Sequence, residues 1–493
     1  MPIVSSILGQ VLDDVYAIET QSPPNIQGIQ AGIVKMAGTF AKGILGAVYT
    51  IDDYATAVRL LGPSTATVEG PLNLQALINQ KTGGTLVVPV FGSTAASAKV
   101  TLQDSQATPG NVLILTAAQV HPQTGVVTAI LGTDPNVMTA TVANSSGSTF
   151  DLAIAYGGTT ESYSGLTVAG MVATINAASK IVIASLPGSP SASLPKNGTF
   201  SFTGGTNGTA ADADFVGAID GSGNRTGLKS LEVVTGNMVF AANQSSAAVN
   251  AAVAVHANSF NCIGLVCTAV NSTVTNTTAA NTYAQDNVAF LDGWRTMFDA
   301  DTGTNRNIAP MALVAGMASQ KAVYKSWGNK AIYGTLAAIT PRSNSDLATL
   351  QTAGVLCVSD NIPRGGVGTR SGIGSDKSDL VTRQMRYFLE LSIMSSMGWA
   401  VDEMQSSDPN DALRKDIKAS IDTFLSPMAN PLDPANKAID SYLSICDLSN
   451  NPVDQIAAGK LSVNVKVRLL GIAKQIVIYA DISQGTITTS SAA

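Results

Sequence analysis

A chain of 493 residues is too long for one ordinary core; at roughly 150 residues per domain it suggests about three. Apolar residues make up 45%, enough for a large interior, but charged residues make up only 13%, about half the roughly 25% usual in soluble proteins. A net charge of −6 offers no cationic footprint for nucleic acid, and two histidines, His121 and His256, leave little room for imidazole chemistry.

The N-terminal stretch MPIVSSILGQVLDD has neither a basic region nor a sustained apolar one, so it does not read as a secretory signal. The most apolar window, 247–270, is broken by Asn250, His256, Asn258, Ser259 and Asn261, and no membrane span is expected. Cys262, Cys267, Cys357 and Cys446 are too scattered for a disulfide framework and fit synthesis in a reducing cytosol.

In chain order, Thr50 reads as the cap of a helix opened by Asp52 and Asp53 and closed by Gly62. A second helix is predicted over 70–81, then a buried strand, TLVVPVF, over 85–91. Residues 84–280 carry only 13 charged side chains, against 49 in the other 296 positions. Within that stretch, short apolar runs such as KVTLQ, NVLILTA, TFDLAIAY and KIVIASL alternate with turn residues. They predict an antiparallel, all-β segment over about 93–203.

A long helix is predicted from Asp379 to Gly398, with Met385, Leu389, Ile393 and Met397 on one face, and Met394 also read as core. Asp408 and Pro409 open the next helix as cap and first residue, continuing through Phe424. Val463, Val465 and Val467 alternate with polar residues, and after Gly471 so do Ile476, Ile478 and Ile482, predicting two closing strands. The fold class is α+β / α/β.

The most tempting chemistry is a serine acyl-enzyme set: Ser193 with Lys196, Ser359-Asp360-Asn361 and Lys81-Thr82-Gly83. Pro190, Pro195 and Gly198 forbid the helix that would set Lys196 one turn from Ser193, and the order along the chain is wrong. The Gly-rich runs at 204–209 and 365–370 lack the Gly-Lys-Ser/Thr of a phosphate loop and read as turns. Cys262 and Cys267 with His256 fall short of a metal site by a ligand. The carboxylate pairs Asp411/Asp416 and Asp440/Asp447 read as caps and solvated faces. No enzyme, cofactor or metal site is expected.

A more specific pattern lies near the C-terminus: Ser444-Ile445-Cys446-Asp447, Asn450-Asn451-Pro452, Gly459-Lys460-Leu461, the strand 463–467, then Gln475-Ile476-Val477-Ile478. Upstream stand Asp214-Phe215-Val216-Gly217 and Arg225-Thr226-Gly227-Leu228, after a Gly204-Gly205-Thr206-Asn207-Gly208 turn. Near the start come Gly32-Ile33-Val34 and the 50–62 segment with Tyr54 and Leu61. Taken in order over 25–482, these motifs resemble those of the contractile tail sheath proteins of phages and related injection machines.

That resemblance implies an α/β core built from both chain ends, with β-rich material inserted and extended arms. The corresponding divisions are an arm over 1–24, core over 25–92, β insert over 93–203, central α/β part over 204–360, C-terminal core over 361–482 and an arm over 483–493. It implies stacked hexameric rings around a tail tube, contacts with baseplate and tail terminator proteins, a virion tail location, and no direct contact with nucleic acid or membrane. Ile3, Val4, Ile7, Leu8, Ile482, Thr486 and Ile487 are the arm residues expected to join neighbouring subunits, and Arg414, Lys415 and Lys418 a helix face toward the tube. Another self-assembling shell or surface-layer protein would share the low charge but not the ordered motifs.

Overall fold

The run TLVVPV forms the strand Thr85–Val90, which lies inside a nine-stranded sheet. This computed structural model describes residues 24–80, 82–430, 432, 437–474 and 476, together with the backbone of Ile3–Val4 and Ala17–Ile18. Gly28–Ser392 forms one compact unit, and the described parts of 1–27 and 393–493 form a second.

Across the sheet the order is Lys330–Ala331, Gly368–Thr369, Val355–Ser359, Val288–Asp292, Ile263–Cys267, Met238–Ala241, Val34–Thr39, Thr85–Val90 and Tyr49–Ile51. The six from Val355–Ser359 to Thr85–Val90 are parallel, and short antiparallel strands close both edges. Parallel strands buried on both faces need apolar residues at every position, which is why these segments read as unbroken hydrophobic runs.

Alternation along each strand divides the core in two. Val34, Met36, Val87, Phe240, Leu265 and Leu291 join one apolar cluster, where Leu61, Leu72, Leu77 and Leu313 bring in the helices Tyr54–Leu61, Gly70–Asn79 and Pro310–Ser319. Ala37, Val88, Val239, Val266 and Phe290 join the other, where Val249, Val253 and Leu350 bring in the helices Ala247–Ser259 and Asn344–Thr352. Phe215 and Leu228 bring the short helix Asp212–Val216 and the 3-10 turn Gly227–Val233 to that same face. Each such fully buried side chain contributes about 1.5–3 kcal/mol relative to exposure.

Residues 99–201 form two four-stranded antiparallel sheets. One has the order Thr159–Leu166, Thr149–Tyr156, Thr139–Ser146, Gly198–Ser201. The other pairs Val182–Ser185, Asn111–Val120 and Lys99–Gln103, with Val127–Ala129 also on the Asn111–Val120 strand. The segment is not purely β: Met171–Ala178 is a helix, because Met171 and Ile175 repeat at a four-residue spacing and are both buried. A short ladder between Lys42–Gly43 and Leu131–Gly132 ties this lobe to the rest of its unit.

Several boundaries differ from the sequence expectation. The first helix is capped by Asp53, whose carboxylate accepts from Thr56 N at 2.8 Å, while Thr50 lies in the Tyr49–Ile51 strand. The long helix runs Leu380–Ser396; Met385 and Leu389 are buried, but Met394 is 70% exposed rather than core. Asp408 does not cap the next helix. Asp411 does, accepting from Arg414 N, and the helix runs Ala412–Ala429. Among the described residues from 361 onward, the large sheet receives only Gly368–Thr369.

Within the second unit, Asn464–Leu469 pairs antiparallel with the upstream strand Ile439–Ile445, and the ribbon packs on the Ala412–Ala429 helix. Of the closing strand expected after Gly471, Ile476 is exposed and outside any strand, and Ile478 and Ile482 lie outside the described residues.

Candidate functional site

Doubly wound sheets offer a crevice where strand order reverses, beyond the carboxyl ends of the strands. Here the chain leaves Val34–Thr39 for Thr85–Val90 on one side and later returns to Met238–Ala241 on the other. The crevice at that point has a volume of about 520 Å³ and is lined by Glu69, Asn243, Trp294, Arg306 and Asn307. Its polar groups are committed to one another. Arg306 pairs with Glu69 and with Asp299, each at 3.0 Å, and also donates to Ser64 Oγ and to the Thr65 and Val68 carbonyls. Asn243 donates to Glu69 at 2.7 Å and accepts from Ala309 N. Burial opposes ionisation of Asp299, but hydrogen bonds from Ser64 and Arg306 outweigh it and hold the carboxyl below its usual range. This network closes a loop onto the sheet and presents no nucleophile with a base.

The acyl-enzyme residues are likewise dispersed. Residues 193–196 are not helical, and Lys196 N donates to Gln103 O. Asp360 is held by Arg295 at 2.6 Å, Thr82 Oγ1 donates to the Leu77 carbonyl, and Lys81 lies outside the described residues. Cys262 immediately precedes the strand Ile263–Cys267 and Cys267 ends it; at odd spacing they face opposite sides of the sheet, each in a different apolar cluster. They cannot share an ion. Burial pushes the Cys262 thiol up to about 11. Among the described residues, no three metal-ligating side chains gather at one point. No helix among them is long and apolar enough to cross a membrane.

The helix expected to face a tube is only partly a surface. Arg414 is 2% exposed; its guanidinium donates to the Ser406 and Asp408 carbonyls and sits 3.7 Å from Asp411. Its register, three residues before Ile417 and seven before Ile421, puts it on the buried stripe, a spacing visible in the sequence. Lys415 is exposed and reaches Asn410, whereas Lys418 pairs with Asp422 at 2.6 Å and reaches Ser444 on the ribbon. Of the expected arm residues, Ile3–Val4 forms a parallel pair with Ala17–Ile18 of its own chain. Ile7, Leu8, Ile482, Thr486 and Ile487 lie outside the described residues.

What the sequence did not disclose is how much apolar surface the second unit exposes. Of the 21 large hydrophobic side chains exposed among the described residues, eight fall between 394 and 476, among them Val401, Met404, Leu443, Val453 and Ile476. Both outer edges of the Ile439–Ile445/Asn464–Leu469 ribbon are unpaired among the described residues. Apolar side chains beside open backbone edges form a surface suited to another chain.

No protein-family model matches the sequence, and no curated protein matches it. Solved structures do. The crystal structure of the sheath tail protein Lin1278 from Listeria innocua is similar over 90% of this chain and 96% of its own, with a TM-score of 0.59 at 15% identity. The sheath tail protein DSY3957 from Desulfitobacterium hafniense is similar over 93% of this chain and all of its own, with a TM-score of 0.57 at 16% identity. The fold is that of the sheath tail proteins. A sheath complex of an extracellular contractile injection system, in its contracted state, is also similar, covering 97% of this chain with a TM-score of 0.55 at 11% identity. In this chain the sheath tail fold thus carries a crevice lined by side chains paired with one another and an exposed apolar surface in the C-terminal unit.

Proposed function

We propose that the chain is a structural subunit of a contractile tail sheath. The observation that carries the reading is the likeness in fold to sheath tail proteins along nearly the whole chain. Copies stack as hexameric rings around an inner tube, and contraction of that lattice drives the tube through a host envelope without nucleotide chemistry. The tube, a baseplate and a tail terminator are the partners, in a phage tail or a related injection particle.

Contacts between unlike patches on identical subunits generate rings where the rotation closes and helices where it does not, and stacked rings combine the two. The exposed ribbon edges favour joining by strand addition, since main-chain hydrogen bonds give affinity while the linked bodies stay free to rotate. Under this reading the terminal segments, with Ile3, Val4, Ile7 and Leu8 at one end and Ile482, Thr486 and Ile487 at the other, supply the added strands. Lys415, the exposed cation of the Ala412–Ala429 helix, remains a candidate for the tube.

Negative-stain microscopy of the purified chain tests the proposal. Hollow cylinders are expected, and folded monomers from chains lacking 1–20 or 484–493. A natural chain that stays monomeric at every concentration would end the sheath reading. Cylinders from both truncations would end the role of the arms, and flat lattices or closed shells would favour a surface-layer or shell protein.

A further inference from the structure

Beside the helix Tyr54–Leu61, a cleft of about 800 Å³ opens toward the β-rich lobe. Its floor is neutralised: Lys42 donates to the Tyr156 hydroxyl at 2.6 Å, Tyr156 donates to Asp134 at 2.5 Å, and Lys42 lies 3.2 Å from Asp134. Asp301, on the wall, accepts from the Tyr54 hydroxyl and from Ser64 N. The rim differs. Arg59 and Lys180 are exposed and make no ion pair among the described residues, and Val120 and Val137 beside them are exposed apolar side chains. A matching ligand sets an exposed apolar side chain beside carboxylates.

The chain carries such a feature elsewhere. Between Lys196 and Arg225 its only charges are Asp212, Asp214 and Asp220, while Arg225 is already paired with Glu232. Ile219 pairs with Arg225 as an antiparallel bridge, and the Asp220 carboxylate accepts from the Ser222 and Asn224 amides, so the hairpin is held before any contact forms. Ile219 at its shoulder is 48% exposed. A pre-ordered protrusion docks without the entropy cost of ordering a loop.

The two features belong to opposite layers. Ala57 and Leu61 anchor the cleft's helix in the cluster with Val34 and Met36, whereas Phe215, just before the hairpin, joins the cluster with Ala37 and Val88. Two unlike patches that complement each other make a heterologous contact between copies, which repeats around a ring or along a helix.

We propose that the 217–226 hairpin of one copy seats in this cleft of the next, with Ile219 against Val120 and Val137 and the Asp212 and Asp220 carboxylates facing Arg59 and Lys180. The inference rests on the self-assembly proposed above and names one of its contacts.

The test compares assembly of the natural chain with that of Arg59→Glu/Lys180→Glu, checking each for an unchanged circular dichroism spectrum and melting curve. The concentration needed for assembly should rise by at least about tenfold, the equivalent of one lost charge-assisted contact. Adding Asp212→Lys to that variant should recover part of the loss. Asp220→Asn, which keeps the turn's hydrogen bonds and removes the charge, should weaken assembly alone. A chain with Val137→Cys and Ile219→Cys, its four native thiols being buried, should give a ladder of covalent multimers with a short bis-maleimide. Normal assembly by the double reversal, or an absent ladder, overturns the contact while cylinders of the natural chain leave the sheath reading intact. Failure of the natural chain to assemble overturns both.

Discussion

Lys35 Nζ lies 2.8 Å from His256 Nε2 inside the larger unit, and Lys35 is fully buried on the first parallel strand of the sheet. Nε2 must accept from the ammonium, so the ring is held neutral. Burial is the main cause, with the Lys35 and Lys229 charges adding to it, and the ring's pKa falls to about 3. Burial also lowers Lys35 itself, against the opposing influence of Cys262 and Glu232.

The sign of the pH dependence follows. Between about 3 and 6.5 the unfolded chain binds a proton at His256 and the folded chain does not. Stability from this group is therefore present above the unfolded value and is lost as the pH falls through that window, at up to about 1.4 kcal/mol per pH unit. Denaturant midpoints should fall on acidification, and His256→Gln, which keeps an acceptor but does not titrate, should flatten the curve over that range.

Arg414 holds the 406–411 loop onto its helix. Removing the guanidinium leaves the Ser406 carbonyl without its donor, takes one of two donors from the Asp408 carbonyl and removes the cation beside Asp411, so Arg414→Ala should destabilise the C-terminal unit by roughly 2–4 kcal/mol. Hydrogen exchange should quicken across the Ala412–Ala429 helix. An exposed binding cation at this position would instead leave exchange unchanged.

Gly217 ends the Asp212–Val216 helix at φ +75°, and a Cβ there would lie 1.8 Å from the Thr226 carbonyl oxygen. Gly217→Ala therefore combines a disfavoured backbone conformation with a clash against backbone. It should cost at least about 1–3 kcal/mol, seen as a lower melting temperature.

Leu443 is 52% exposed on the C-terminal ribbon. Leu443→Lys should change stability by no more than about 0.5 kcal/mol, as surface substitutions usually do. If the ribbon is an assembly surface, the same change should abolish cylinders, checked by sedimentation and microscopy on matched samples.

The buried parallel strands were legible because burial on both faces writes itself as an uninterrupted run, as in Thr85–Val90. Helix limits were legible where one residue type had one role, as at Gly62, and less so where two roles overlap. Asp408 and Asp411 both suit a cap; Asp408 instead accepts from Asn410 N in a tight turn. Arg414 was misread because neighbouring Lys415 and Lys418 suggested a charged face, although its register matches Ile417 and Ile421. The pairing of Asn464–Leu469 with Ile439–Ile445 lay beyond reach, since alternation marks a strand without naming its partner. The Arg59/Lys180 rim is assembled from segments more than a hundred residues apart and left no local trace.

The large sheet ends on one side in a three-residue strand, Tyr49–Ile51, and on the other in the two-residue pieces Gly368–Thr369 and Lys330–Ala331. Such stubs offer an incoming chain too few free amides and carbonyls to template a stray partner. If copies of the chain crowd into a lattice as proposed, their most apolar layer is thereby kept from nucleating fibrils.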